Sequence, residues 1–437
     1  MLTREQNELL CRVEGAAAMG QLMRRHWLPV CMAEEVAERD GAPVKARLLG
    51  EDLVVFRDSD GRLGVLGERC PHRNASLVFG RNEQCGLRCL YHGWKFDVDG
   101  NAVEMPTEPS RSSGNIHLKA KAYPARESGG FVWIWMGPKE EDRNDPQGQR
   151  ELEPPAWAPT PGTRISIVKM HAACNWAQVL EGAIDSAHSS SLHSTEMPAA
   201  EVYGSTATGS AWLRPSNDKA PRLQFQPTGY GFKYAAIRTP IKNADTHDYV
   251  RTTLFIAPFT VLIPPNDQYN LAQMLVPLDD VNTMFYWVAW HPDPSKGIAQ
   301  EDWRRFCAAT VGVDLDRDFR KIRTLENRYL QDRAAMKRGD FTGIKGIPNQ
   351  DMAMWESMGP IVERSLDRPG ASDVAVVQFR RMMVAAAKRV AEGGPAIGTT
   401  EPRVAHLQLA SFEGLVPRST DWRTLGAPEA EKVRAPT

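Results

Sequence analysis

The sequence predicts an α+β protein in which a small all-β domain, residues 1–150, precedes a larger domain, residues 151–437. Between residues 27 and 135, short apolar runs alternate with Gly- and Asp-rich turns, a spacing typical of a small all-β domain. Residues 138–162 are charged and then rich in proline, which indicates a boundary or a long surface loop. The prolines concerned are Pro146, Pro154, Pro155, Pro159 and Pro161.

The remaining elements follow from hydrophobic periodicity. Residues 5–25 predict a short amphipathic helix at the start of the first domain. Asn175 to about Ser189 predicts a helix with Asn175 as its N-cap, and residues 221–291 predict antiparallel strands. Residues 316–338 and 372–392 predict two helices that flank this sheet. The second carries one apolar stripe, explained by core packing: Val376, Phe379, Met383, Ala386 and Val390.

Composition excludes several classes of function. The 437 residues carry 53 basic and 54 acidic side chains, a net charge of −1, which argues against nucleic acid and anionic membranes as partners. No apolar run approaches the roughly 18 residues that a membrane-spanning helix needs. The polar N-terminus has no signal-peptide core, so we expect a cytoplasmic protein. Its seven cysteines are then free thiols or metal ligands.

The first motif pairs one cysteine with one histidine in each of two short segments, Cys70-Pro71-His72 and Cys89-Leu90-Tyr91-His92. Zinc accepts two cysteines and two histidines, but its common patterns pair like with like. Mixed loops suit a two-iron cluster with thiolates on one iron and imidazoles on the other. Cys85 is left out because only Cys89 has the x2 spacing to His92.

The stretch from Cys70 to Trp94 resembles the cluster motif of Rieske-type [2Fe-2S] proteins. The resemblance implies that Cys70 and Cys89 bind one iron, and that His72 and His92 bind the other. Asn74 departs from the Gly or Arg of many relatives, but it is not a ligand position.

The second motif is Asp185-x2-His188-x4-His193. On a helix Asp185 and His188 would be about 60° apart, whereas His193 would be about 140° from His188. Both histidines reach one metal only if the helix breaks near Ser189–Ser191. Two histidines and a carboxylate form the non-haem Fe(II) triad, although a lone His pair is as often an ordinary core or surface pair.

Together the motifs resemble the α (terminal oxygenase) subunit of Rieske non-haem iron aromatic-ring oxygenases, in particular the phthalate 4,5-dioxygenase group. The resemblance implies a helix-grip catalytic domain, with His188 and His193 as ligands of a mononuclear Fe(II). It implies that Asp185 bridges His188 and His92 of a neighbouring subunit, and hence a trimer or stacked trimers. Gly182 stands where distant relatives often have Asn, and we assign it no role.

The resemblance places the third iron ligand at Asp351, with Asp340 as the alternative; a surface Asp at a helix start is the ordinary explanation. It also suggests Arg214 and Arg251 as carboxylate-binding residues. Arginine suits that role because its planar fork binds a carboxylate twice. A surface salt bridge is the alternative for each.

The resemblance therefore implies an oxygenase that uses O₂ to cis-dihydroxylate an aromatic (di)carboxylate such as phthalate. Electrons would come from NAD(P)H through a separate flavin/iron–sulfur reductase, since no dinucleotide fingerprint follows a predicted strand. Two alternatives remain. One is a Rieske monooxygenase that O-demethylates a methoxylated aromatic acid. The other is an electron carrier or ligand-binding protein without oxygenase activity.

Overall fold

The computed structural model describes residues 2–109, 118–138, 150–158, 162–202, 204–205, 212–401 and 403–426. The chain divides into two compact units, Val13–Leu152, and Met1–Arg12 together with Glu153–Thr437. The α-helices within the described residues are α1 (Arg4–Cys11), α2 (Ala18–Met23), α3 (Trp176–Ala183), α4 (Gln300–Phe306), α5 (Arg333–Lys337), α6 (Ile347–Ser357) and α7 (Val374–Ala391).

The smaller unit consists mainly of three small antiparallel sheets, with orders β1-β10-β9, β2-β3-β4 and β5-β6-β7-β8. Its core surrounds the predicted cluster loops and includes Leu77, Leu87 and Phe96. The strands are β1 (Trp27–Met32), β2 (Val44–Leu48), β3 (Glu51–Arg57), β4 (Leu63–Gly67), β5 (Arg81–Glu83), β6 (Gly86–Arg88), β7 (Lys95–Phe96), β8 (Ala102–Glu104), β9 (Ala125–Ser128) and β10 (Phe131–Trp135).

The larger unit contains a large antiparallel sheet with the order β11-β19-β18-β17-β16-β15-β14, in which β20 also pairs with β16. A separate two-stranded sheet joins β12 and β13. Helix α7 packs on it through Phe379, whose ring contacts Phe255 of β16 and Trp176 of α3. The strands are β11 (Arg164–Ala172), β12 (Gly204–Ser205), β13 (Trp212–Leu213), β14 (Arg222–Thr228), β15 (Gly231–Arg238), β16 (His247–Ile256), β17 (Thr260–Ile263), β18 (Asn270–Pro277), β19 (Thr283–His291) and β20 (Phe412–Pro417).

This architecture confirms the predicted fold class, an all-β unit followed by an antiparallel sheet with helices. The α7 stripe is buried as expected. Asn175 caps α3, since its side chain accepts a bond from the Ala177 backbone N–H at 3.0 Å. Among the described residues, no helix combines the length and apolar character needed to cross a membrane. Residues 139–149 and 159–161 of the predicted boundary lie outside the described residues.

The predicted helix over residues 5–25 is wrong, because the chain forms two helices separated by a turn at Gly15 (φ +58°). Helix α1 also groups with the larger unit rather than with the β unit. The Asn7 amide explains this grouping, since it donates to the Val362 carbonyl at 2.9 Å and accepts from Arg364 at 2.9 Å.

The predicted helix over residues 316–338 is also wrong. Only a short 3₁₀ turn at Arg328–Leu330 and α5 form there. Phe319 and the three residues of the 3₁₀ turn have φ between +51° and +60°, which a right-handed helix does not allow. Tyr329 is buried, and its hydroxyl donates to Glu356. The segment is therefore held to α6 by this hydrogen bond rather than by the backbone hydrogen bonds of a continuous helix.

Candidate active site

The predicted cluster residues lie in two loops of the smaller unit with matching backbone geometry. The Cys70 N–H donates to the carbonyl five residues on, and its carbonyl accepts from Asn74, both at 2.8 Å. The Cys89 loop repeats these bonds with Trp94 and Gly93, at 2.8 and 3.0 Å. Asn74 and Gly93 have φ of +57° and +75°, so they occupy equivalent left-handed positions. Asn is among the non-glycine residues that tolerate this conformation, which explains its presence there.

The side chains of these loops divide into a buried and a more exposed pair. Cys70 and Cys89 are buried. Burial and the neighbouring Cys89 raise the pKa of Cys70. Hydrogen bonds from the backbone N–H groups of His72 and Arg73 lower it, but the net shift is upward. The His72 and His92 rings lie 4.6 Å apart, and His72 stacks on Trp94 at 4.4 Å. Two inner thiols and two outer imidazoles fit a Rieske cluster.

The second group lies in the larger unit, where His188, His193 and Asp351 converge. The two imidazole Nε2 atoms are 3.2 Å apart. Asp351 Oδ1 lies 3.5 Å from Nε2 of His188 and 3.0 Å from Nε2 of His193. This carboxylate oxygen is buried and has no hydrogen-bond partner among the described residues. Two imidazoles and an orphaned buried carboxylate fit the two-histidine, one-carboxylate iron site.

The histidines converge because α3 ends before them. The predicted break near Ser189–Ser191 comes earlier, since α3 stops at Ala183 and a 3₁₀ turn follows at His188–Ser190. Asp185 stabilises this break by accepting a bond from the Ala187 N–H at 2.7 Å. Asp351 comes from α6. Asp340, the alternative ligand, is outside the group, because its carboxylate accepts bonds from backbone N–H groups at 3.0 and 2.7 Å.

Each imidazole of the triad has a side-chain partner on its other nitrogen. Asp185 Oδ2 lies 3.4 Å from Nδ1 of His188. Burial opposes ionisation of Asp185, but its bonds to His188 and Ala187 outweigh this and keep its pKa below the usual value. On the other imidazole, Gln350 Oε1 lies 2.7 Å from Nδ1 of His193. No motif pointed to Gln350, because its contact with His193 appears only when α6 is in place.

A pocket opens onto the triad. Gly182, which has no role assigned from the sequence, also lines it, against the indole of Trp355. A Cβ at position 182 would lie 2.1 Å from Nε1 of Trp355. The described lining residues are Gly182, Ala183, Asp185, Ser186, His188, Ser189, His193, Met197, Trp212, Tyr234, Arg251, Thr253, Ile263, Pro264, Gln273, Trp287, Ile347, Asp351 and Trp355.

The predicted Arg251 is in the pocket wall, and Arg214 lies behind it. Arg251 is buried and pairs with Glu413 at 3.2 Å. Arg214 is 4% exposed and donates to the hydroxyls of Ser189 and Ser190 at 3.1 and 3.3 Å. Neither is therefore a surface salt bridge.

Sequence reasoning missed a third buried arginine, Arg238, which donates to the Ser186 carbonyl at 2.8 Å. Burial, followed by the charges of Arg214 and Arg251, lowers the pKa of Arg238 to about 9. Burial and the charge of Arg251 also lower the pKa of Arg214. The guanidinium groups of Arg214, Arg238 and Arg251 interact with one another, and Arg251 pairs with Glu413. Three buried cations near one carboxylate leave an excess of positive charge, which favours an anionic ligand.

Two family models match most of the chain. Residues 26–124 match the Rieske [2Fe-2S] domain, and residues 134–436 match the LigXa C-terminal domain like family. The phthalate 4,5-dioxygenase oxygenase subunit of Pseudomonas putida is 58% identical over 97% of this chain and 94% of its own length. The 3-chlorobenzoate-3,4-dioxygenase oxygenase subunit of Comamonas testosteroni is 33% identical over 97% of this chain and 98% of its own.

Solved structures share the fold. The Pseudomonas putida CBB5 NdmA QL mutant with caffeine superposes with a TM-score of 0.59 at 17% identity, over 92% of this chain and 99% of that one. Dicamba monooxygenase bound to 3,6-dichlorosalicylic acid gives 0.55 at 18% identity, over 84% and 98%. The sequence identity to two oxygenase subunits, 58% and 33% over 97% of this chain, establishes the family. The chain belongs to the Rieske non-haem iron oxygenases, as an oxygenase subunit of a multicomponent system.

Proposed function

We propose that this oxygenase subunit cis-dihydroxylates an aromatic dicarboxylate such as phthalate. The observation that carries the proposal is the pocket that connects the triad to Arg251. One end offers a site for iron, and the wall offers a buried cation with Arg214 and Arg238 behind it. An aromatic acid that reaches both ends would be held by its carboxylates with its ring beside the metal.

The pocket residues divide the work of binding. Arg251 would bind a carboxylate through its planar fork, and a second carboxylate would offset the excess charge of the arginines behind it. Trp212, Trp287 and Trp355 line the same pocket and would pack on the ring. Packing against these indoles would restrict the orientation of the ring beside the metal.

The metal centres would be held by the predicted residues. We assign Cys70, His72, Cys89 and His92 to the cluster, and His188, His193 and Asp351 to iron. Bound iron supplies dioxygen activation, and the cluster supplies the electrons. These positions fit on chemistry alone, because thiolate and imidazole suit a Rieske cluster, and imidazole with carboxylate suits Fe(II).

Asp185 would be the bridge between the two centres. Its ionised carboxylate orients His188 and retains oxygen lone pairs for a second imidazole donor, His92 of a neighbouring subunit. This role requires a ring of subunits, so we propose a trimer or stacked trimers. Electrons would come from NAD(P)H through a separate reductase. The seven free cysteines, five of which lie outside the proposed cluster, suit a cytoplasmic location.

A single turnover tests the function. The cluster of the purified protein is reduced chemically, phthalate and ¹⁸O₂ are added, and the mass of the product is measured by mass spectrometry. Dihydroxylation adds O₂, two electrons and two protons to the ring, so we expect a dihydrodiol that carries both labelled oxygens. The absence of product from protein that contains both iron centres would refute phthalate as the substrate. Formaldehyde from methoxylated aromatic acids would instead identify an O-demethylase.

A further inference from the structure

The strongest unassigned feature is the buried amide of Gln350, which stands between a proposed iron ligand and an acidic side chain. Gln350 is fully buried on α6, one residue before Asp351. Its Oε1 lies 2.7 Å from Nδ1 of His193. Its Nε2 lies 2.8 Å from Oε1 of Glu196 and 2.9 Å from the Ile344 carbonyl oxygen. All polar atoms of this amide are therefore engaged.

Chemistry fixes which way this amide faces. The Ile344 carbonyl oxygen and an ionised Glu196 carboxylate can only accept hydrogen bonds. The amide nitrogen of Gln350, which donates, must therefore face them. The amide oxygen then faces His193. Because that oxygen can only accept, Nδ1 of His193 must carry the proton. In a neutral imidazole, the form that binds a metal, Nε2 of His193 then keeps its lone pair, and this atom faces Asp351 and His188.

We propose that Gln350 is a positioning residue that holds His193 in the tautomer and ring orientation needed to bind iron. Glu196 and the Ile344 carbonyl hold the amide in turn. The inference rests on the proposed iron site at His188, His193 and Asp351. Outer partners of this kind fix ligand orientation, and their loss typically costs 10- to 100-fold in metal affinity.

The two imidazoles are then supported differently. His188 faces the carboxylate of Asp185, whereas His193 faces a neutral amide. On the Nδ1 side of His193, the carboxyl group of Glu196 lies one side chain further away, beyond the amide. A carboxylate bridge suits the imidazole on the proposed electron route, while a neutral amide holds the second imidazole without adding charge beside the metal.

The test measures metal binding rather than turnover. Protein stripped of mononuclear iron but retaining its cluster is titrated with Fe(II) for wild type and Gln350→Met. Methionine has a similar volume, and its thioether is only a weak acceptor for the bond from His193. We expect the dissociation constant for Fe(II) to rise about 10- to 100-fold. With Co(II) as the probe, the visible absorption bands of the bound metal should also change, while the cluster spectrum does not.

Gln178→Met is the matched control. Gln178 is also a buried glutamine, but its amide bonds the backbone of Trp355, Gly359 and Val362 rather than an imidazole. The control should show similar thermal destabilisation with wild-type Fe(II) affinity. If Gln350→Met does not fold, Glu196→Ala serves instead. It removes one of the two acceptors that hold the amide nitrogen, so we expect a smaller rise in the dissociation constant for Fe(II).

The outcomes separate two failures. Wild-type affinity and an unchanged Co(II) spectrum in Gln350→Met, or in Glu196→Ala when it serves instead, would overturn the inference alone. His193→Ala is titrated alongside. If it binds Fe(II) as tightly as wild type does, the proposed iron site itself is wrong. Weaker Fe(II) binding in both glutamine variants would assign the effect to general destabilisation and would also overturn the inference.

Discussion

The four proposed cluster residues lie in two loops between Cys70 and His92, whereas the triad joins His188 and His193 to Asp351 on a helix far along the chain. The loops are closed by backbone hydrogen bonds between near neighbours. The triad is held by long-range side-chain contacts, such as the bond from His193 to Gln350. A local motif specifies the first site, and the packing of the whole larger unit specifies the second.

The two sites also differ in how far their surroundings are exposed to solvent. In the smaller unit, Leu90 and Tyr91 next to His92 are 61% and 56% exposed. In the larger unit, His193 and Asp351 are 3% and 5% exposed. Half-buried imidazoles next to exposed side chains suit the proposed cluster, which would pass electrons to another molecule. Burial suits a site where water must be excluded from the reaction.

The largest expected effect comes from removing the carboxylate of the triad. Asp351→Ala should lower mononuclear iron affinity by more than about 100-fold, beyond the loss typical of an outer partner, and should abolish turnover. The cluster spectrum should not change if the two sites are built independently. Iron analysis and the visible spectrum of the same sample measure both.

Asp340→Ala is the control for this change, because Asp340 was the alternative ligand. Its carboxylate caps the backbone N–H groups of Thr342 and Gly343, so its loss should reduce stability but leave iron content intact. Iron lost equally from both variants, or retained in Asp351→Ala, would contradict the assignment of Asp351.

The difference between the sites explains what sequence alone could predict. Cys70, His72, Cys89 and His92 follow from spacing, because short loops bring near neighbours together whatever the rest of the chain does. The antiparallel sheet and the α7 stripe follow from periodicity. Gln350 and Arg238 do not, because a buried polar side chain far along the chain has no local signature. The positive φ angles that prevent the helix at 316–338 are equally invisible in a hydrophobic pattern.

A smaller effect is expected on substrate binding. Arg251→Met removes the cation from the pocket wall, and losing a charged hydrogen bond costs about 1.5–3 kcal/mol. We therefore expect the dissociation constant of phthalate to rise about 10- to 100-fold, since each 1.4 kcal/mol is tenfold. Iron content and the cluster spectrum should stay unchanged. Equilibrium titration of the resting enzyme with phthalate measures the effect without turnover.

Arg222→Met is the matched control for Arg251. Arg222 is exposed on β14 and makes a 3.4 Å contact with Asp248, outside the pocket. Its loss should leave phthalate binding unchanged, because exposed ion pairs contribute little. Equal weakening in both variants would indicate that long-range charge, rather than a contact in the pocket, attracts the substrate.

The smallest effect tests packing rather than chemistry. A Cβ at Gly182 would lie 2.1 Å from Nε1 of Trp355, so Gly182→Ala must displace the indole. Overpacking costs about 1–3 kcal/mol, and alanine returns about 1 kcal/mol in helix propensity, so the net loss of stability should be at most about 2 kcal/mol. The functional loss should be clearer, because Trp355 lines the pocket and shares α6 with Asp351. We expect kcat/KM for phthalate to fall about tenfold, which corresponds to about 1.4 kcal/mol.

Gly229→Ala separates a general effect of adding a methyl group from this contact. A Cβ at Gly229 would meet nothing within 4 Å, and its backbone does not need a positive φ. Its kinetics should match the wild type. If Gly182→Ala also matches the wild type, the indole of Trp355 can move without loss of activity. The close contact between Gly182 and Trp355 is then not needed for the pocket to function. If only Gly182→Ala loses activity while its cluster spectrum is unchanged, the catalytic unit depends on a single close approach between two helices. The locally closed cluster loops would then be insensitive to the same change.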